Sequence, residues 1–193
     1  MTSLSDINYF DPSGGVQKRK LIKGTYKGHI TAVNVVSDKM IGDYCANIYN
    51  ITFTVAEENA SIKYQDGDTE IGGSEFVGRE VKSSGVFHFL TPKDGDSFQN
   101  NPSGNNKYYN LLKACGIECP TKEIEIDGAK KEVYILPSIE LSDLEGKAVL
   151  AKVGETKPFT NAEGKEITPI KANWFEPWEG GVNRDFVEES IPF

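Results

Sequence analysis

The sequence predicts a mainly β fold, and three observations carry that expectation. Nineteen of its 193 residues are glycine, more than a helical bundle tolerates. Long runs alternate apolar and polar residues with a period of two, which sends successive side chains to opposite faces of a strand. Only one segment repeats its apolar residues at helical spacing. The length fits one domain with a sizeable core plus elaborations.

The first strand is expected from Gly24 to Asp38, where Ile30, Ala32, Val33, Val35 and Val36 supply β-branched and apolar positions. A turn at Gly42 and Asp43 leads to a second strand, Cys45 to Val55. There Tyr49, Ile51, Phe53 and Val55 fall on one face and Ile48, Asn50, Thr52 and Thr54 on the other, which assigns Tyr49 and Phe53 to the core. Residues 57–79 carry the turn formers Gln65-Asp66-Gly67-Asp68 and Ile71-Gly72-Gly73 and read as a surface excursion. A third strand runs from Glu80 to Leu90. Phe87 and Phe89 share one of its faces, with one or both expected in the core, and His88 lies opposite.

Turn chemistry from Thr91 to Gly104 separates this strand from the helix, Asn105 to Cys115. Its Tyr108, Leu111, Leu112 and Cys115 fall at i, i+3, i+4 and i+7, and Gly116 supplies the stop. A polar hairpin around Asp127-Gly128 and a strand at Val133 to Leu136 follow. Leu144 to Lys157 and Lys165 to Phe175 then form a last hairpin around Asn161-Ala162-Glu163-Gly164. Three strands, a helix and a terminal hairpin follow the order of the OB-fold, a five-stranded, partly open Greek-key barrel with its helix between strands three and four. Extra loops or hairpins would decorate it. A β-sandwich with a helical insertion has the same inventory.

The charge balance excludes little by itself. A net charge of -8 and a pI near 4.9 argue against holding phosphates, unless a local basic groove exists on an acidic molecule. The N-terminus lacks a basic stretch followed by an apolar run, and no segment reaches the roughly 20 apolar residues of a membrane helix, so a cytoplasmic protein is expected. Cys45, Cys115 and Cys119 are an odd number without a histidine cluster, and read as small buried hydrophobes. No metal or cofactor is expected. His29 and His88 are tied to no nucleophile by a known motif and no phosphate-cradling loop is present, so a non-enzymatic protein is expected.

After a joint at Gly180-Gly181 the chain ends Asn183-Arg184-Asp185-Phe186-Val187-Glu188-Glu189-Ser190-Ile191-Pro192-Phe193. Phe193 sets an apolar ring beside a carboxylate, Pro192 reduces the entropy lost on docking, and Asp185, Glu188 and Glu189 steer the peptide towards basic rims. This stretch resembles the acidic tip of bacterial single-stranded DNA-binding proteins, an acidic run ending in Ile-Pro-Phe that docks replication, recombination and repair enzymes. Ser190 and Val187 depart from that tip, and a long Gln- and Gly-rich linker is missing. Tyr108-Tyr109-Asn110-Leu111-Leu112-Lys113-Ala114-Cys115-Gly116 and residues 144–153 resemble phage-encoded relatives of these proteins.

The resemblance implies a basic N-terminal arm at 1–23, an OB-fold single-stranded DNA-binding domain at 24–178 and an acidic tail at 179–193. Asp185, Phe186, Glu188, Glu189, Ile191, Pro192 and Phe193 would dock replication or recombination proteins. If the protein is phage-encoded, its place is the host cytoplasm, and a homo-oligomer is compatible with all of this. Binding without sequence preference needs cations along the phosphates and aromatic faces for the bases. Lys18, Arg19, Lys20, Lys23 and Lys27, interleaved with Tyr26 and His29, form the densest basic run. In the last hairpin Lys152 and Lys171 punctuate apolar strands, and alternation turns Phe175 outward and Trp174 inward. The competing readings are a non-enzymatic β-sandwich, as a phage structural or carbohydrate-binding protein, and a magnesium-dependent nuclease, for which no paired carboxylates are evident.

Overall fold

The computed structural model describes residues 19–92, 102–126 and 128–185. Gly24–Ile41 (β1) and Tyr44–Val55 (β2) form one long antiparallel hairpin, paired from Gly28 and Val55 to Ile41 and Tyr44. Its register shifts twice, between Ile30 and Ala32 and between Val36 and Lys39, so the ribbon bends rather than running flat. Next come Lys63–Asp66 (β3) and Thr69–Gly72 (β4), a small hairpin flanked by single helical turns at Glu57–Asn59 and Gly73–Glu75.

Residues 57–79 are not the surface excursion that turn chemistry suggests. They deliver Tyr64, Ile71 and Phe76 to the core. Tyr64 stacks on Tyr26 with ring centres 4.5 Å apart, and Phe76 meets both rings edge-on at 5.4 and 5.7 Å. Burying a large apolar side chain contributes about 1.5–3 kcal/mol, which holds so short a hairpin in place. Strands of four residues are too brief for alternation to reveal them.

The expected third strand is two, Glu80–Lys82 (β5) and Val86–Pro92 (β6), both antiparallel to β2. At the break, the buried Ser83 hydroxyl accepts hydrogen bonds from the Ile51 and Gly85 amides at 3.0 and 3.3 Å. Pro102–Ala114 (α1) is the expected helix, begun three residues earlier and ended one residue sooner, and it lays Tyr108, Leu111 and Leu112 into the core. The ladder pairs Ile48 with Phe87 and Tyr49 with Val86, so His88 points inward while Phe87 and Phe89 stay half-buried on the other face. This reverses the expectation for that strand. His88 stacks on Tyr108 at 4.0 Å, and Tyr108 on Tyr49 at 5.2 Å.

Thr121–Ile126 (β7) and Ala129–Tyr134 (β8) form the hairpin expected around residues 127 and 128; Val133 and Tyr134 close β8 rather than opening a further strand. Ala148–Glu155 (β9) and Ile170–Pro177 (β12) pair antiparallel, with a two-residue ribbon of Phe159–Thr160 (β10) and Glu166–Ile167 (β11) between them. The main sheet runs β12-β9-β1-β2-β5, with β6 also on β2. Its two ends touch at one isolated parallel bridge between Ser83 and Ala172, where the Ser84 amide reaches the Ala172 carbonyl at 3.3 Å. The molecule is therefore mainly β, antiparallel, and not a closed barrel.

Beyond β12 the chain continues as a strap past the start of β9. The Val182 carbonyl accepts from His29 Nε2 at 2.9 Å, Asn183 Oδ1 accepts from the Ala148 amide at 3.0 Å, and the Arg184 amide donates to the Gly146 carbonyl at 2.9 Å. Trp178 meets the His29 ring edge-on at 5.8 Å. Gly181 fits here because it lacks a Cβ, which would lie 2.7 Å from the Trp178 ring and 2.9 Å from the Ala148 methyl.

Candidate nucleic-acid interface

Directly opposed residues in an antiparallel ladder share a face, so the register sorts the side chains of β1, β9 and β12. Tyr26, Ala151 and Phe175 form one cross-strand row and are all buried. The rows on either side face outward. One is Thr25, Lys152 and Trp174; the other is Lys27, Leu150 and Glu176. Lys171 lies opposite Gly154 on β12.

A bulge produces this arrangement. The pairing of β12 with β9 shifts between Ala172 and Trp174, leaving Asn173 as the extra residue. Without it, strict alternation would turn Trp174 inward and Phe175 outward. With it, Phe175 enters the core beside Phe53, ring centres 6.4 Å apart, and Trp174 sits half-buried on the outer face opposite Lys152. The two aromatic assignments made from alternation are thus exchanged.

Lys27 is positioned from the side by a buried asparagine. Asn59 Oδ1 accepts from the Lys27 amide at 3.0 Å and Asn59 Nδ2 donates to the Lys27 carbonyl at 2.7 Å, as a neighbouring strand would. The Tyr64 hydroxyl donates to the same Oδ1 at 2.9 Å, and Nδ2 also reaches the Ala56 carbonyl at 2.7 Å. Such a satisfied buried amide fixes its surroundings, since leaving any of these groups unpaired would cost free energy. Beside this face Lys23, Lys152, Gly154 and Asn173 line a shallow, open depression of about 340 Å³.

The expected binding residues divide into three sets. Lys20 and Lys23 are exposed, Lys27 and Lys171 half-buried, and Lys152 exposed but paired with Glu176. Arg19 lies 3.8 Å from both Asp66 and Glu75, so its charge is shared with two carboxylates. Tyr26, His29 and Phe175 are corrected: each is buried and cannot offer a ring face to a base. Tyr26 is fully enclosed, its hydroxyl donating to the Ile22 carbonyl at 3.0 Å, and burial pushes its pKa up to about 12. His29 belongs to the outward set of β1, and the strap covers it. Lys18, Phe186, Glu188, Glu189, Ile191, Pro192 and Phe193 lie outside the described residues, while Asp185 is exposed just beyond the strap.

Two aromatic features read as core from alternation lie on outer faces instead. One is Trp174, hidden by the bulge. The other is a row on the outer face of β2 and β6, where Phe87 and Phe89 lie nearly parallel with centres 5.9 Å apart and Tyr44 meets Phe89 edge-on at the same distance. Their spacing of two residues was the available signal; which face is inside depended on α1. No helix among the described residues is long and apolar enough to cross a membrane. No protein-family model matches the chain, and a search of curated proteins finds no significant match.

Proposed function

We propose that the protein binds single-stranded DNA without strong sequence preference, on the outer face of β1, β9 and β12, and that its main sheet is an OB-type, partly open barrel. The strand order supports the barrel reading, as does the single parallel bridge at which the ends of the sheet meet. The observation that carries the function is Trp174 on an outward row with Lys152, two rows from Lys27 on the same face and three residues from Lys171. An indole among lysines offers a base a stacking surface and its phosphates counter-charges. Glu176 pairs with Lys152 in the free protein, and a phosphate would compete for that ammonium group. The protein then coats exposed strands and traps them unpaired, while the acidic segment from Asp185 to Phe193 recruits replication or recombination enzymes.

Titration with oligo-dT at several salt concentrations, beside duplex DNA and single-stranded RNA, tests this directly. Tryptophan fluorescence should quench with oligo-dT, and affinity should fall steeply as salt rises. Trp174→Ala should weaken binding by between about 5-fold and 150-fold, the equivalent of roughly 1–3 kcal/mol for one stacked base. Absence of quenching in dilute buffer would overturn the proposal.

A further inference from the structure

The β7–β8 hairpin stands apart from the sheet. Apart from half-buried Ile124 and Val133, every side chain described on its two strands is exposed. Two-stranded ribbons open to solvent on both sides are marginal on their own, so the placement of their side chains is informative. The register pairs Lys122 with Val133 and Ile124 with Lys131, putting two lysines and two aliphatic side chains on one face. It pairs Glu123 with Glu132 and Glu125 with Lys130, putting three glutamates and one lysine on the other.

The ribbon therefore sorts its charges by sign. This sorting works against folding, because Glu123 and Glu132 are directly opposed like charges. Lys130 offsets part of that repulsion by pairing with Glu123 at 2.8 Å. On the other face, neither Lys122 nor Lys131 has a carboxylate within 4.0 Å among the described residues, although glutamates flank both in sequence. Tyr134, on the acidic side, meets Tyr109 of α1 with ring centres 4.8 Å apart. The acidic face thus carries the contact with the helix at the base of the ribbon, and among the described residues no ion pair covers the lysines of the basic face.

We infer that the basic face of β7–β8 is a second contact for a DNA single strand, an arm that engages phosphates of a strand already held on the main sheet. Lys122 and Lys131 supply the counter-charges, Ile124 and Val133 give an apolar strip for sugars and bases, and the glutamates behind repel the strand from the wrong side. This rests on the single-stranded DNA reading of the sheet. It predicts a length threshold: a strand too short to leave the sheet gains nothing from the arm.

The test compares wild type, Lys122→Gln/Lys131→Gln and the control Lys63→Gln/Lys113→Gln, which removes equal charge from exposed positions outside the ribbon, using oligo-dT of increasing length. With long oligo-dT the Lys122/Lys131 variant should lose between about 1 and 1.5 from the slope of log affinity against log salt, about 0.7 per phosphate contact. With the shortest oligo-dT that binds, it should match wild type. The control should match wild type at all lengths. Equal slopes for variant and wild type on long oligo-dT would overturn the arm while leaving the sheet reading intact. If wild type binds oligo-dT of no length, both fail.

Discussion

His88 lies between β6 and α1 with its ring against Tyr108, and its Nδ1 is buried without a hydrogen-bond partner among the described residues. Burial favours the neutral ring and lowers its pKa from 6.5 to about 4. The unfolded chain therefore takes up this proton at a higher pH than the folded one. The histidine's contribution is intact above pH 6.5 and is lost as pH falls towards 4, with about 2 kcal/mol gone by pH 5. His88→Phe keeps an aromatic ring against Tyr108 and removes the titration. Thermal melts at pH 7 and pH 5 should thus differ less for the variant than for wild type, and an equal difference would refute the assignment. At this scale the sequence is readable where one strand decides. Alternation along β2 puts Phe53 in the core, as found, whereas Tyr26, read as a binding ring from the lysines around it, lies on the buried row of β1 between outward Thr25 and Lys27. His29 is not readable, because residues more than 150 positions away in the chain bury it.

The elements were legible where they are long and regular, as in β1, β2, α1 and the pairing of β9 with β12. Breaks were not, because they depend on partners. Glu80 to Leu90 reads as one strand, yet Ser83 interrupts it by taking the Ile51 amide on its side chain. Ser83→Ala should leave buried N–H groups without acceptors and destabilise the protein by about 1–3 kcal/mol. Urea unfolding should show a lower midpoint with an unchanged slope, and an unaltered midpoint would mean that water or a shifted backbone replaces the hydroxyl. The bulge at Asn173 belongs to the same class. One unpaired residue in β12 exchanged Trp174 with Phe175, so the strand was found and its outward ring was misassigned.

At the scale of the whole molecule, the order of strands and helix could be read from periodicity and turn residues, but the contacts joining the sheet's ends and seating the strap could not. Those depend on residues distant in sequence that no local pattern pairs. Net charge of -8 opposes a polyanion, and the acidic end of the chain contributes three side-chain carboxylates, Asp185, Glu188 and Glu189. Removing residues 185–193 should raise affinity for oligo-dT most in dilute buffer, with truncated and full chains converging as salt screens the difference. Equal affinity at low salt would show that these carboxylates do not compete for the lysines. The strap also fixes where this segment starts, because the Arg184 amide is bonded to Gly146. From Asp185, the eight residues to Phe193 can extend at most about 28 Å, at roughly 3.5 Å per residue. Under the proposed function, an enzyme gripping Phe193 would be leashed within that radius of Asp185, at a local concentration on the order of millimolar, close to any strand bound on the sheet.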